Sequence, residues 1–294
     1  MATTLPISTR IQINNILFAT DFSEVSRAAL RCTCSLAQWY GSKIFVTHAV
    51  PPEPYLSLPI EPVPWDADML WHREQREMKD FIANSSFNAV PHEEVLQRGD
   101  LWQVIAGVIE KSRIDLIVVA THGRHGLSKM MMGSAAEKIF RQSKCPVLTV
   151  GPEAAQRGRL AWEPKQILFA TDFSTSSLHA LPHALSLAEE NQAMLVLMNV
   201  VPLVPYQYKQ TVEETTRKKL EALLPAAHSC ATDFVVNFDF PAQGILQVAN
   251  DRKTDVIVLG VSRRAAIAIT SHLPWSVASD VVGSAPCPVL TVRG

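Results

Sequence analysis

The sequence predicts two α/β domains in tandem, each a mostly parallel five-stranded sheet with helices on both faces. Three observations carry this reading. Ile16-Leu17-Phe18-Ala19-Thr20-Asp21-Phe22-Ser23 recurs letter for letter as Ile167-Leu168-Phe169-Ala170-Thr171-Asp172-Phe173-Ser174, 151 residues later. Cys145-Pro146-Val147-Leu148-Thr149-Val150 likewise recurs as Cys287-Pro288-Val289-Leu290-Thr291-Val292, so each repeat is opened and closed by matching strands and is a whole domain. Short apolar runs alternate with longer helical patterns, the mark of βαβ units. A chain of 294 residues also exceeds one compact domain at ~100–200 residues each. The boundaries follow: residues 1–151, a linker at 152–164 containing Pro152 and Gly158, and residues 165–294.

In order along the first copy, Ile13 to Thr20 reads as a buried strand. Ser23 is placed to cap a helix whose Val25, Ala29, Cys32 and Leu36 share a face, and Gly41 is placed to stop it. Lys43 to Val50 forms a second strand. Six prolines between Pro51 and Pro64 then exclude regular structure until a polar helix begins near Trp65. A strand over Glu93 to Gln97, a helix from Leu101, the central strand Leu116 to Ala120, a helix over Ser134 to Gln142 and a strand over Pro146 to Val150 complete the copy. The second copy repeats the order, with Leu178, Leu181, Leu185 and Ala188 marking one first helix and Asp255 to Gly260 the fourth strand.

Composition narrows the function. With 27 Lys and Arg against 28 Asp and Glu, the net charge of −1 gives no broad electrostatic reason to expect nucleic acid or an anionic membrane. No apolar run reaches the ~18–20 residues of a membrane helix, and a soluble, cytoplasmic protein is expected. The five cysteines form no CxxC pair and are expected to be reduced thiols. His122 with His125, and His179 with His183, lack an evident third ligand and are expected to be loop or solvent-facing histidines. Arg217, Lys218 and Lys219 read as a solvated helix face, and the Met130-Met131-Met132 run as packing. Neither a P-loop nor a Gly-x-Gly-x-x-Gly fingerprint is present.

In an open parallel sheet, ligands collect beyond the carboxyl ends of the strands where the winding reverses. Two loops lie there, Ala19-Thr20-Asp21 and the stretch from Ala120 to Ser134. In the latter, Gly123 and Gly133 bracket nine residues before Ser134 opens a helix. Missing Cβ atoms, a hydroxyl and a helix N-terminus make an anion site, to which Arg124 and Lys129 add local cations. Ser134-Ala135-Ala136-Glu137 also reads as a capping box, whose carboxylate would disfavour phosphate unless turned away. Asp21 has a structural reading too, as support for the turn into the helix.

The pattern Ala120-x-x-Gly123, nine residues, Gly133-Ser134 resembles the universal stress protein signature, with Ala120 where that family usually has glycine. With the Asp after the first strand and the closing Cys-Pro-Val, the resemblance covers both copies. It implies a doubly wound sheet of order 3-2-1-4-5, pairing of the two copies through Pro146–Val150 and Pro288–Val292, and assembly of chains into a homodimer. It also implies ATP binding, with Mg²⁺ or another divalent cation, in copy one. The contacts implied are Asp21 and Ala49 at the adenine side and Gly123, Gly133 and Ser134 at the phosphates. Ala19, Thr20, Val119, Ala120, His122 and Ala135 are the implied neighbours.

The second copy departs from the signature: Gly260-Val261-Ser262-Arg263 is followed by eleven residues and then Trp275-Ser276, so two glycines are lost and this copy is expected not to bind ATP. No residue set for catalysis or for a metal is evident. The expected function is ATP-dependent regulation in a stress response, with an unknown protein client and copy two as scaffold. A nucleotide-free interaction module and a slow ATPase are the alternatives.

Overall fold

The computed structural model describes residues 11–51, 67–87, 90–121, 132–156, 162–262 and 274–294. The repeated octapeptide explains itself locally. Asn15–Ala19 (β1) is an apolar run that ends in a tight turn, in which the Thr20 hydroxyl accepts from the Phe22 amide at 2.9 Å and Asp21 Oδ1 from the Ser23 amide at 3.1 Å. Phe22 sits at φ 64°, a left-handed conformation rare for a bulky side chain. Ser23 then accepts from the Ser26 amide and caps Glu24–Tyr40 (α1), which Gly41 closes at φ 70°. The second copy builds the same turn with Thr171, Asp172 and Phe173, the last again at φ 64°.

The first copy continues through Lys43–Val50 (β2), Ala67–Ala83 (α2), His92–Arg98 (β3), Leu101–Ser112 (α3), Leu116–Ala120 (β4), Ser134–Gln142 (α4) and Val147–Val150 (β5). A short helix, Pro152–Gln156 (α5), lies within the expected linker. Its Ala154, and Trp162 beyond it, are buried in the core, so this connection is packed rather than free. The second copy contains Gln166–Ala170 (β6), Thr175–Leu178 (α6), Leu181–Asn191 (α7), Met194–Val201 (β7), Tyr206–Glu221 (α8), Thr232–Phe238 (β8), Pro241–Asp251 (α9), Val256–Val261 (β9), Pro274–Ser284 (α10) and Val289–Arg293 (β10).

All ten strands form one sheet in the order β3-β2-β1-β4-β5-β10-β9-β6-β7-β8. Each half therefore reads 3-2-1-4-5 from its outer edge, with parallel pairing inside each half. The halves join through β5 and β10, which run antiparallel with Leu148 opposite Leu290. Thr149 Oγ1 donates to Val289 O and Thr291 Oγ1 donates to Val147 O, both at 3.2 Å, a reciprocal contact of the kind a two-fold axis produces. Alternating side chains serve two faces. Ile16 and Phe18 of β1 join a core that runs through both copies, whereas Leu17 and Ala19 join a separate core with α3 and α4.

One expected element is corrected. The first helix of copy two is broken into α6 and α7, whereas its counterpart α1 runs unbroken for 17 residues. At the equivalent position of the repeat, Pro182 replaces Arg31. Proline lacks an amide hydrogen and its ring clashes with the carbonyl four residues back, here Leu178, the last residue of α6.

Candidate functional site: a cleft at the first switch point

β1 lies between β2 and β4, so the winding reverses at its carboxyl end and the loops on either side part there. A cleft of about 610 Å³ opens at this place, within the ~300–1,000 Å³ of small-molecule sites. Ala19, Thr20, Asp21, Ala49, Val119, Ala120, Gly133, Ser134 and Ala135, drawn from four separate segments, all line it. His122 and Gly123 lie outside the described residues, as do Arg124, His125, Lys129, Met130 and Met131.

The capping box expected at the start of α4 does not form. Gly133 is the N-cap, in extended conformation with no side-chain hydrogen bond, and Ser134 is already the first helical residue. Glu137 turns away to accept from Arg141 Nε at 2.9 Å, one turn on. This helix start thus carries neither a capping side chain nor a carboxylate folded back over it, which suits an anion. The Gly133 amide donates to Thr121 O at 2.6 Å and ties the helix start to the end of β4.

The universal stress protein family model matches residues 12–151 and 163–293, both copies and nearly the whole chain. The chain belongs to the universal stress protein family. A universal stress protein of Methanocaldococcus jannaschii is 30% identical over 138 residues, 46% of this chain and 80% of that relative. Universal stress protein YxiE of Bacillus subtilis is 28% identical over 145 residues, 47% of this chain and 98% of that relative. The crystal structure of a universal stress protein from Archaeoglobus fulgidus superposes with a TM-score of 0.71 at 17% identity, covering 96% of this chain and 99% of that one, a likeness of fold.

Several lining residues of this universal stress protein were not singled out by sequence reasoning. Asp100 caps α3 through the amides of Trp102 and Gln103, and it also takes Lys138 Nζ of α4 at 2.6 Å. The Lys138 ammonium, then the capping amides, hold its carboxyl below the usual carboxylate range. The signal for Asp100 was legible, since Gly99-Asp100 precedes a helical pattern as a cap should. Lys138 had none, because only the packing of α4 beside α3 brings it to the cleft. His48, next to Ala49, lines the wall as well. Asp21 Oδ1 serves the turn, accepting from the Ser23 amide and from Ser26 Oγ at 2.7 Å, so the structural reading of this residue holds for that oxygen.

The corresponding place in the second copy differs in a way that Arg263 and Trp275, whose side chains lie outside the described residues, do not reveal. Gly260 occupies the register position of Ala120: it pairs with Val292 as Ala120 pairs with Val150. A Cβ on Gly260 would lie 2.2 Å from Ser176 O and 2.4 Å from Ser177 Cα. The detached turn α6 therefore rests directly on the end of β9.

The remaining expectations sort simply. Thr175 O takes His179 Nδ1 at 2.7 Å. His183 is not solvent-facing: it is half-buried, lines a cavity between the copies, and burial pushes its pKa down. The two do not share a helix, because the break at Pro182 separates them. Among the described residues no group of three or more His, Cys, Asp and Glu is placed to hold a metal, and no helix is long and apolar enough to cross a membrane. No disulfide joins any of the five cysteines. Burial, and then the neighbouring Cys34, pushes the Cys32 thiol up to about 12, and burial does the same to Cys34. Thiols raised in this way stay protonated and unreactive near neutral pH. Met132 packs between the two cores on the α3/α4 side of the sheet, as the packing reading expects.

Proposed function

We propose that this chain is a stress-response regulatory protein that binds one ATP, with Mg²⁺ or another divalent cation, in the N-terminal cleft, the C-terminal copy acting as scaffold. The observation that carries this reading is the meeting of Ala19–Asp21, Ala49, Val119–Ala120 and Gly133–Ala135 in one cleft of about 610 Å³ whose far end is an uncapped helix start. The family resemblance assigns the adenine side to Asp21 and Ala49 and the phosphates to Gly123, Gly133 and Ser134, with His122 as a neighbouring contact. The cleft's described charges are Asp21 and Asp100 against Lys138, so a polyphosphate needs a divalent cation and the cationic loop residues Arg124 and Lys129 to offset its charge. The carboxylate–hydroxyl pair in the cleft, Asp21 Oδ1 with Ser26 Oγ at 2.7 Å, serves the turn into α1, which favours binding over turnover.

Isothermal titration of the full chain with ATP and Mg²⁺ tests this. Saturable binding at one site per chain is expected, lost in Gly133→Trp, which gives copy one the residue that copy two carries at position 275. Two sites would refute the loss of binding in copy two, and an absence of saturable binding would refute the reading. In that event the interaction module becomes the better account, for Leu203, Tyr206 and Phe240 of the C-terminal copy are 76%, 92% and 68% exposed. Light scattering across a concentration series tests the proposed homodimer, which a strict monomer would exclude.

A further inference from the structure

Lys138 is the only lysine or arginine among the described residues that line the cleft. It lies on α4 four residues beyond Ser134, so the two share a face of that helix. Side chains on a helix lean toward its N-terminus, which carries the Lys138 stem back over the turn that begins at Gly133. Its ammonium is held by Asp100 Oδ2 at 2.6 Å, at the start of α3. The ammonium therefore stands beside two helix starts that both border the cleft, α3 at residues 99–101 and α4 at residues 133–136.

The two starts differ in what they leave unpaired. Asp100 Oδ1 takes the Trp102 and Gln103 amides of α3, whereas α4 has no capping side chain. An ammonium carries three N–H donors, and Asp100 Oδ2 accepts one of them. The side chains of Lys138 and Asp100 are 37% and 36% exposed, and an ion pair this open to water is worth little by itself. The pair thus limits where the ammonium sits without closing it off from an anion in the cleft.

The second copy shows that this pair is not what docks the helices. α9 packs beside α10 as α3 packs beside α4. The position equivalent to Asp100 is Phe240, since the amides of Gly99 and Asp239, one residue earlier, donate alike to Val50 O and Val201 O. The position equivalent to Lys138 is Asp280, each standing seven residues before the cysteine of the repeated Cys-Pro-Val. Neither charge of the pair is kept, and the helices pack without it. The copy expected not to bind ATP carries a carboxylate at the position where the first carries an ammonium.

We propose that Lys138 is a phosphate-contacting residue of the cleft: steadied by Asp100, it offers its remaining N–H donors to the phosphates of a nucleotide and so makes the cleft select nucleotides over nucleosides. This assignment rests on the nucleotide reading above. Hydrogen bonds between an ammonium and a phosphate are charge-assisted, and a lysine acts in them as a point charge that tolerates a range of phosphate positions.

Isothermal titration of the full chain with ATP and Mg²⁺, and separately with adenosine, tests the assignment. In Lys138→Gln the ratio of ATP affinity to adenosine affinity is expected to fall by roughly ten- to a hundredfold, the range for a hydrogen bond to a charged group. Lys138→Arg, which keeps the charge, is expected to restore most of the ratio. Lys144→Gln removes the same charge beyond the far end of α4 and is expected to leave the ratio as it was. A ratio unchanged in Lys138→Gln, or lowered as far by Lys144→Gln, overturns the proposal and leaves the nucleotide reading standing. Where adenosine binds too weakly to be read, equal ATP affinities in Lys138→Gln and Lys138→Arg overturn it. No ATP binding by the unaltered chain overturns the nucleotide reading, and this assignment with it.

Discussion

At Gly260 the backbone of α6 leaves no room for the methyl that Ala120 carries at the same register position. Ala120, at the same register position, has a Cβ and lines an open cleft, whereas a Cβ on Gly260 would lie 2.2 Å from the Ser176 carbonyl oxygen. Backbone cannot yield as a flexible side-chain tip can. Gly260→Ala is therefore expected to destabilise the chain by about 3 kcal/mol, toward the upper end of overpacking effects, as read by urea denaturation. A change below about 0.5 kcal/mol, the size of an ordinary surface substitution, would show that α6 can lift off the strand without cost. The reverse change, Ala120→Gly, restores the glycine the family signature carries at that position.

At the scale of elements, the two copies perform controlled experiments on each other. α1 ends on Gly41 at φ 70°, and α7 ends on Gln192 at φ 51°, the equivalent position of the repeat. Glycine adopts this left-handed conformation freely, while a side chain is strained by about 1 kcal/mol or more. Gln192→Gly is expected to raise stability by about 1 kcal/mol, measured by chemical denaturation, and Gly41→Gln to lower it by a similar amount. The broken helix is a second such pair. Pro182 in place of Arg31 separates α6 from α7, and the turn α6 packs closely on the end of β9.

The whole molecule is one sheet, and its seam is where the halves depend on each other. β5 and β10 each have a parallel neighbour on one side and each other on the second, so neither is an exposed edge open to pairing with other chains. Leu148 is 1% exposed, lies opposite Leu290 and belongs to the core shared by both copies. Leu148→Ala is expected to cost about 2–5 kcal/mol. Hydrogen exchange should then show protection falling in β10 as well as β5. Loss confined to β5 would show that the halves unfold independently.

Much of this was legible in the sequence because its causes are local. The turn at Thr20-Asp21-Phe22-Ser23, the cap at Ser23, the stop at Gly41 and the strands Lys43–Val50 and Leu116–Ala120 depend on near neighbours in the chain, and each stands where periodicity and capping place it. The cleft's Ala19–Asp21 and Gly133–Ala135 were legible too, since strand ends and glycine spacing mark the switch point. Other features required the tertiary structure. The Ser134–Glu137 capping box has the right letters, but Glu137 found Arg141 instead, a competition between two partners that spacing alone does not rank. Lys138 reaches Asp100, and Glu74 reaches His48, only because helices dock against elements remote in the chain. The close approach at Gly260 is likewise a long-range contact, made by a strand late in the second copy with a turn near its beginning. Sequence by itself determined the repeat, the elements and the location of the cleft, because short-range sterics and hydrogen bonding set them. Tertiary structure decided how tightly α6 packs on β9 and which charges surround the cleft, because those depend on how closely packed elements approach.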